Sequence, residues 1–533
     1  MKGYTGYEKA AFCLLGLYLW GVLFFQGICA DAEVSLLFSL ILGILSGGIA
    51  GTVIWFSRKR WDFSAVQEYS RGGGATAACT MVTFLVYFTY FAAQSPGGIS
   101  PDVINQYHQG IGETAYNDWH PVLHTLLFFT LPLKFGGGRG LDRIVFLQIL
   151  YFCLAFGYLL HTLNKNRCPR GVVAFLCVYV WLNPMLATYL AYPWKDIAMT
   201  IFGIVLTGQY IQISCSHGMW LGKRWNRIVF AAVAVICTYM RHNAILFTAP
   251  MVLLALFCSV RERKVRAQTA VWLAVGMCLV KLLYAGIGVE KPDQRVVETV
   301  GLPATIWCNV MQEAPDALPE DTQAILYKIA PPEAYADQYQ AGSFNSIKWN
   351  EGVNLEALDG LSYAQVAKIT YQCFRYAPLP AIEAFGKLTG MVYVLDNRCK
   401  YMGVYTGDEL RTNTFLQQIT HFGFSGIGPI FFGSIGVQML CMLIAAMAAL
   451  ARGRKSFVHI LPLFCYNFGT MLLLSGPDYR FFLVNLPLWI PVTWLVAQDT
   501  SQLPIQNSAR NASSEKPRRK ISGILDTIVK YPK

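Results

Sequence analysis

Charge is scarce in this chain. Only 14% of its residues are Asp, Glu, Lys or Arg, whereas a soluble globular domain carries about 25%. With 54% hydrophobic residues, that shortage excludes an ordinary soluble protein. Several signatures of common chemistries are also missing. There is no Walker loop, the usual sign of an ATP-driven pump. No Gly-rich dinucleotide fingerprint follows a strand, and no His-Glu-x-x-His helix is present to hold zinc. No Cys-x-x-Cys occurs, so neither a zinc ribbon nor a thiol redox motif is expected. Most of the 15 cysteines lie in apolar runs, where a free thiol behaves as a small hydrophobe. Cys29, Cys308, Cys373 and Cys399 fall in more polar segments, and the last three offer one disulfide of unassigned pairing.

What is abundant is uninterrupted apolar sequence. Runs of about 18 or more residues with almost no charge are long enough to cross some 30 Å of hydrocarbon. The pattern predicts an all-α polytopic membrane protein with about twelve spans. They fall at roughly 10–28, 34–56, 75–93, 144–163, 171–190, 197–214, 228–240, 244–260, 267–287, 427–450, 456–474 and 480–497. The first follows Lys2 and Lys9. Ala30-Asp31-Ala32 resembles a signal-peptidase site, but the apolar run is long for a signal peptide and reads as an uncleaved span.

The net charge of +12 does not point to nucleic acid, because the basic residues form short clusters between spans. Those clusters are Arg58-Lys59-Arg60, Lys165 to Arg170, Lys223 to Arg227, Arg261 to Arg266, Arg452 to Lys455 and, in the tail, Arg518-Arg519-Lys520. With both termini cytoplasmic, every cluster falls on the cytoplasmic face, as the positive-inside rule requires. Four regions then divide the chain: a membrane domain over 1–287 with a polar first-loop segment at 94–143, an extracytoplasmic cap over 288–426, membrane helices over 427–497, and a basic cytoplasmic tail over 498–533. The cap mixes acidic residues, aromatics and Pro331-Pro332, and is long enough for a small domain.

The same topology brings the polar motifs at span ends to the opposite, outer face. They are Asp102 to His124, Pro193-Trp194-Lys195-Asp196, Arg241-His242-Asn243 and Pro477-Asp478-Tyr479-Arg480. Polar groups beside a span are costly and mark functional sites. Asp102 has the chemistry of a general base in a water-poor setting, or it caps a helix beginning at Val103. Asp118, His120 and His124 have the residue types for a divalent cation, the two histidines sharing a helix face at i, i+4. The alternative is that Asp118 caps the helix and Trp119 anchors it; Asp118 is also a candidate catalytic carboxylate beside Asp102. Segment 120–133 itself reads as a juxtamembrane or re-entrant helix. Lys195 and Asp196 read as an ion pair. Arg241 and Arg480 suit phosphate, since a guanidinium donates two parallel hydrogen bonds, or they snorkel to headgroups. Asp478 either orients Arg480 or balances its charge. Asn243 completes the polar set.

The polar loop with an early Asp, Asp102, and a His-Pro-x-Leu helix, His120-Pro121-Val122-Leu123, resembles the integral-membrane glycosyltransferases of the C-type fold. Protein O-mannosyltransferases and lipid A aminoarabinose transferases belong to that class, and this chain is closest to a bacterial branch of it. The resemblance is strongest over about 75–200. It departs where Val103 replaces the second acid of a tandem Asp-Glu, where Val122 replaces a second proline, and in two additional leading spans. It implies a sugar donor carried on polyprenyl phosphate, a cell-envelope acceptor, and Asp102 as the catalytic carboxylate, with no cofactor required beyond a candidate divalent cation. Two other readings use the same residues. A transporter or flippase for a lipid-linked saccharide would hold the phosphate without chemistry, and a scaffold would present the cap for docking.

The topology carries its own test. Cysteines introduced near 165, 263 and 453 should be shielded from an impermeant thiol reagent in sealed right-side-out cells. Labelling from outside at any two of these sites would overturn the orientation.

Overall fold

The computed structural model describes residues 5–30, 36–58, 73–135, 140–291, 296–396 and 425–498. Asp31 and Ala32 of the signal-like motif, Lys59 and Arg60, Cys399, the end of the cap region and residues 499–533 lie outside the described residues. Every regular element among those described is a helix, apart from two isolated bridges.

Eight helices among the described residues are long and apolar enough to cross a membrane: Gly6–Cys29, Leu37–Ser57, Gly73–Gln94, Leu141–Lys165, Lys195–Cys215, His242–Ser259, Arg263–Gly286 and Tyr479–Ala497. Arg170–Leu182 and Pro184–Leu190, bent by 57°, are long and apolar enough together to make a broken ninth span or a re-entrant loop. The bend has a local cause. Pro184 cannot continue the first helix, and Asn183 caps the second by accepting the Leu186 N–H at 3.0 Å. The remaining three expected spans fall on shorter helices, Arg224–Met240 (17 residues), Ile435–Ala451 (17 residues) and Leu461–Met471 (11 residues).

The helices are sorted by burial. Lys195–Cys215 has 89% of its apolar window buried and is the axis of the bundle, whereas Arg263–Gly286 has 11% buried and faces outward. Leu141–Lys165 and Arg224–Met240 flank the axis, and Gly6–Cys29 packs with Leu36–Arg58 against Ile435–Ala451. Some polar groups in the bundle pair with each other, as a hydrocarbon setting favours. Asn467 and Asn485 exchange amide hydrogen bonds at 2.8 Å in both directions.

The two ends of the bundle differ. At one end, Lys165 donates to Gln212 Oε1 at 3.2 Å, Arg452 to the Ser57 carbonyl at 2.6 Å and Arg454 to the Ala497 carbonyl at 3.4 Å. Basic loops distant in sequence therefore meet at helix ends. The polar motifs gather at the opposite end. There, residues 296–389 form a helical unit with a core of its own, including Val297, Trp307, Leu326, Phe344 and Ile369. Cys308 and Cys373 are buried in that core as free thiols. The unit is tied to the bundle on two sides. Asn345 N–H donates to the Ser475 carbonyl at 2.9 Å, just ahead of Asp478. On the other side, the Cys29 thiol donates to the Gly386 carbonyl at 3.4 Å, while ahead of the unit the Glu290 and Tyr116–Asp118 backbones exchange bonds of 2.8 and 3.0 Å.

Candidate active site

The site begins with a turn that only small residues fit. Gly97 has φ +119°, a conformation side chains rarely adopt. A Cβ on Gly98 would fall 2.1 Å from the Tyr192 ring. The chain therefore lies flat on Tyr192, and Gly98 N–H donates to the Ala191 carbonyl at 2.9 Å. Ser100 then caps the helix Pro101–Ile111 by accepting the Val103 N–H at 3.3 Å. Its hydroxyl also accepts the Trp194 indole N–H at 2.9 Å. Ser100, not Asp102, is thus the cap. Asp102 sits one residue past Pro101, in the first turn, with its carboxylate turned to other work.

That carboxylate joins three distant segments. Asp102 Oδ2 accepts from Arg480 Nη1 at 3.1 Å and lies 3.8 Å from Lys195 Nζ. Lys195, the first residue of the axial helix, also donates to His120 Nδ1 at 3.0 Å. Arg480 pairs through Nε with Asp478 Oδ2 at 2.7 Å, and its own backbone N–H donates to Asp478 Oδ1 at 3.0 Å. Asp478 therefore orients Arg480. The guanidinium lies over the Trp194 and Phe481 rings, 5.2 and 5.1 Å from their centroids, a placement that favours a cation. Asp102, Lys195 and Arg480 remain 27%, 16% and 18% exposed at their side chains, so a ligand can reach all three.

The electrostatics follow from these contacts. Burial alone would raise the Asp102 pKa, but Lys195, Arg480 and His120 outweigh it and hold the carboxyl at about 2. Burial first, and then the Lys195 ammonium, push the His120 ring down to about 3. His120 is accordingly neutral at pH 7, and its Nδ1 accepts the Lys195 proton.

Lys195 and Asp196 do not pair with each other. Adjacent residues on a helix do not face each other, so Lys195 turns to Asp102 and His120 while Asp196 forms an ion pair with Arg241. Arg241 is further held by Asn243 Oδ1 and lies 4.2 Å over the Phe481 ring. Asn243 Nδ2 donates in turn to Thr470 at 2.8 Å. The side chains of Arg241 and Asp196 are 10% and 2% exposed. This pair lies beneath the reachable cluster and braces the helix ends that carry it.

The histidines also part. The helix starts at Val122, beyond Pro121, so the i, i+4 rule does not apply to His120 and His124. His120 meets Lys195, whereas His124 Nδ1 bonds Gln106 Nε2 at 2.9 Å inside the fold. Asp118 stays on the loop. Burial raises its carboxyl, against His242 and the Val122 backbone N–H, which lower it. Its carbonyl lies 3.1 Å from His242 Nε2. Among the described residues no three His, Cys, Asp or Glu side chains come together to hold a metal ion.

Beyond His120 the chain continues as a helix, Val122–Lys134, with a π-helical stretch at Thr125–Thr130. Such stretches are frequent at functional sites. It forms one wall of an apolar groove of about 620 Å³, lined also by Tyr151 and Tyr158 of one neighbouring helix and by Ile201 and Phe202 of the axial helix. Leu131, Tyr151 and Leu154 are exposed on the groove's outer rim. Ile201 lies six residues beyond Lys195, or roughly 9 Å along the helix at 1.5 Å per residue. Six residues also turn Ile201 onto a different face of the helix from Lys195.

No family model, curated protein or solved structure matches this chain. The site therefore has to be read from its own residues. Two contributors are not apparent from motif content. Gln106 holds His124 and Thr125 together from one turn beyond Asp102, and its i+4 spacing from Asp102 was the available signal. Glu290 fastens the Asp118 loop through its backbone alone, which leaves no side-chain signature.

The buried pair predicts an asymmetry. Arg241→Ala leaves Asp196 charged and uncompensated and should destabilise the protein by about 3–5 kcal/mol, whereas Arg241→Met combined with Asp196→Leu should recover most of that loss. Thermal unfolding of the purified protein in detergent checks both. Equal losses in the single and double variants would contradict the bracing role.

Proposed function

We propose that this protein is a membrane glycosyltransferase that moves a sugar from a polyprenyl-phosphate carrier to a glycan, lipid or protein acceptor at the outer face of the cell membrane. The observation that carries this reading is one juxtaposition: a reachable carboxylate between two cations, beside an apolar groove that opens on the bundle's side. A polyprenyl-phosphate sugar has a matching shape, with an anionic head on a long apolar tail.

In this account the tail lies in the groove and the phosphate meets Lys195 and Arg480. Asp102 takes the proton from an acceptor hydroxyl, and the hydroxyl oxygen attacks the anomeric carbon. The bond from that carbon to the phosphate oxygen breaks, and the electron pair leaves with polyprenyl phosphate. The phosphate gains one negative charge as it departs, and fixed cations aimed at that charge lower the barrier. Direct displacement inverts the anomeric configuration. Arg241, Asp196 and Asn243 hold the frame, while Asp478 orients Arg480. The helical unit over 296–389, tied at Ser475, covers the site on the acceptor side. A divalent cation has no step in this scheme.

A transporter or flippase for a lipid-linked saccharide is the second reading. The broken span at Asn183-Pro184 favours it, since interrupted helices line the sites of many transporters. Chemistry separates the two. Asp102→Asn keeps the shape but cannot accept a proton at neutral pH. It should lower transfer from a polyprenyl-phosphate sugar by roughly a hundredfold or more, with Asp118→Asn near wild type as the control. Full transfer by Asp102→Asn would remove the base role, and translocation of the intact lipid-linked sugar without release would establish the transporter.

The phosphate contact has a separate readout. Arg480→Ala should weaken donor binding by about 1.5–3 kcal/mol, the range for hydrogen bonds to charged groups. Arg480→Lys should restore only part of it, because Lys lacks the planar fork. Unchanged donor binding in Arg480→Ala would place the phosphate elsewhere.

A further inference from the structure

Arg480 and Lys195 converge on a single oxygen. Arg480 Nη1 and Lys195 Nζ both approach Asp102 Oδ2, at 3.1 and 3.8 Å. Each cation also has other contacts, among them Lys195 with His120 and Arg480 Nε with Asp478. The point where the two cations meet is therefore the point at which a phosphoryl oxygen would take its hydrogen bonds, and Asp102 fills it. We propose that Asp102 is an internal stand-in for the donor phosphate: the phosphate displaces the carboxylate from Lys195 and Arg480, and donor binding itself releases the base. This rests on the proposed donor chemistry and adds an order of events to it.

The charges at this end of the bundle support displacement over simple addition. Lys195, Arg480 and Arg241 are matched one for one by Asp102, Asp478 and Asp196. A phosphodiester brought into this neutral set adds an uncompensated anion, so one carboxylate must give way. Asp196 is 2% exposed and locked to Arg241. Asp478 is 14% exposed and also accepts the Arg480 backbone N–H. Asp102 is the most exposed of the three, at 27%. Its helix start is pinned separately by Ser100, Val103 and Trp194, so its side chain can rotate away without unravelling the turn.

Release also matches the requirement of the chemistry. A carboxylate held by two cations is a poor base, since base strength follows pKa. Freed from them, Asp102 regains ordinary carboxylate basicity at the moment a sugar is present to be transferred. The site keeps its total charge through the step. The proton that neutralises Asp102 is matched by the negative charge that appears on the departing phosphate. A resting enzyme with no donor holds no active base, which imposes donor-first binding on the acceptor reaction.

The test is a binding measurement on the full chain in lipid nanodiscs, with farnesyl phosphate as the probe and farnesol as the uncharged control. If Asp102 competes with phosphate, removing its charge should tighten the probe. Asp102→Asn, and Asp102→Ser as a second variant, should bind farnesyl phosphate about tenfold or more tightly than wild type, a change of 1.4 kcal/mol or more. Farnesol should bind all three alike. Unchanged or weaker farnesyl phosphate binding in both variants would overturn the displacement while leaving the phosphate site in place. No farnesyl phosphate binding by wild type or either variant would overturn the donor reading together with this inference.

Discussion

One carboxylate holds the functional end of this molecule together. Asp102 lies in a loop helix, Lys195 begins the axial helix, and Arg480 lies at the start of the last span, 378 residues from Asp102 along the chain. Their meeting point ties the first third of the bundle to its end. The turn at Gly97-Gly98, the Ser100 cap and the Trp194 indole all position that carboxylate. Asp478 and the Trp194 and Phe481 rings aim the guanidinium that meets it. A membrane setting makes such a cluster costly to assemble, so each charge has a partner and the aromatic rings exclude water from one side.

Beneath that contact runs a division of labour between two sets of charges. The upper set, Asp102, Lys195 and Arg480, is partly exposed and open to exchange. The lower set, Arg241 and Asp196, is closed off under Phe481. Breaking a buried pair is expensive because the remaining charge is stranded, which suits the lower set to a fixed frame. The upper set has the opposite character. Its members can trade partners with an incoming anion at small cost, since a ligand charge replaces the protein charge that leaves. In the proposed function the apolar groove, whose first residue on the axial helix lies some 9 Å along from Lys195, supplies the surface a long hydrocarbon tail would need.

Much of this could be read in the residues before any coordinates. The apolar runs specified an all-helical membrane protein, and the basic loops separated one end of the bundle from the other. That separation alone put Asp102, Lys195, Arg241 and Arg480 at a common end. What could not be read was the pairing within it. Lys195 and Asp196 look like partners because they are neighbours in sequence, yet a helix points them apart. His120 and His124 look like a metal-binding pair because they are four apart, yet Pro121 delays the helix and sends them to different partners. Asp102 looked like a possible cap, yet Ser100 does that work two residues earlier. Each misreading came from spacing rules that hold only once the helix boundary is known. The span at 171–190 was legible as apolar but not as bent, because a single Asn-Pro step decides it. The spans at 427–450 and 456–474 fell on helices shorter than the hydrophobic runs implied, whereas 228–240 fell within a longer helix, Arg224–Met240.

The central claim is that the charged cluster and the groove form one site for an anionic head on a long apolar tail. Photocrosslinking tests it most directly. A polyprenyl phosphate with a photoactivatable group in its tail would be added to the protein in membranes, and the labelled peptides mapped by mass spectrometry. The account predicts labelling within 127–132, 147–158 and 201–205, competed by unlabelled polyprenyl phosphate and reduced in Arg480→Ala. Specific labelling confined to other helices, unaffected by Arg480→Ala, would contradict it.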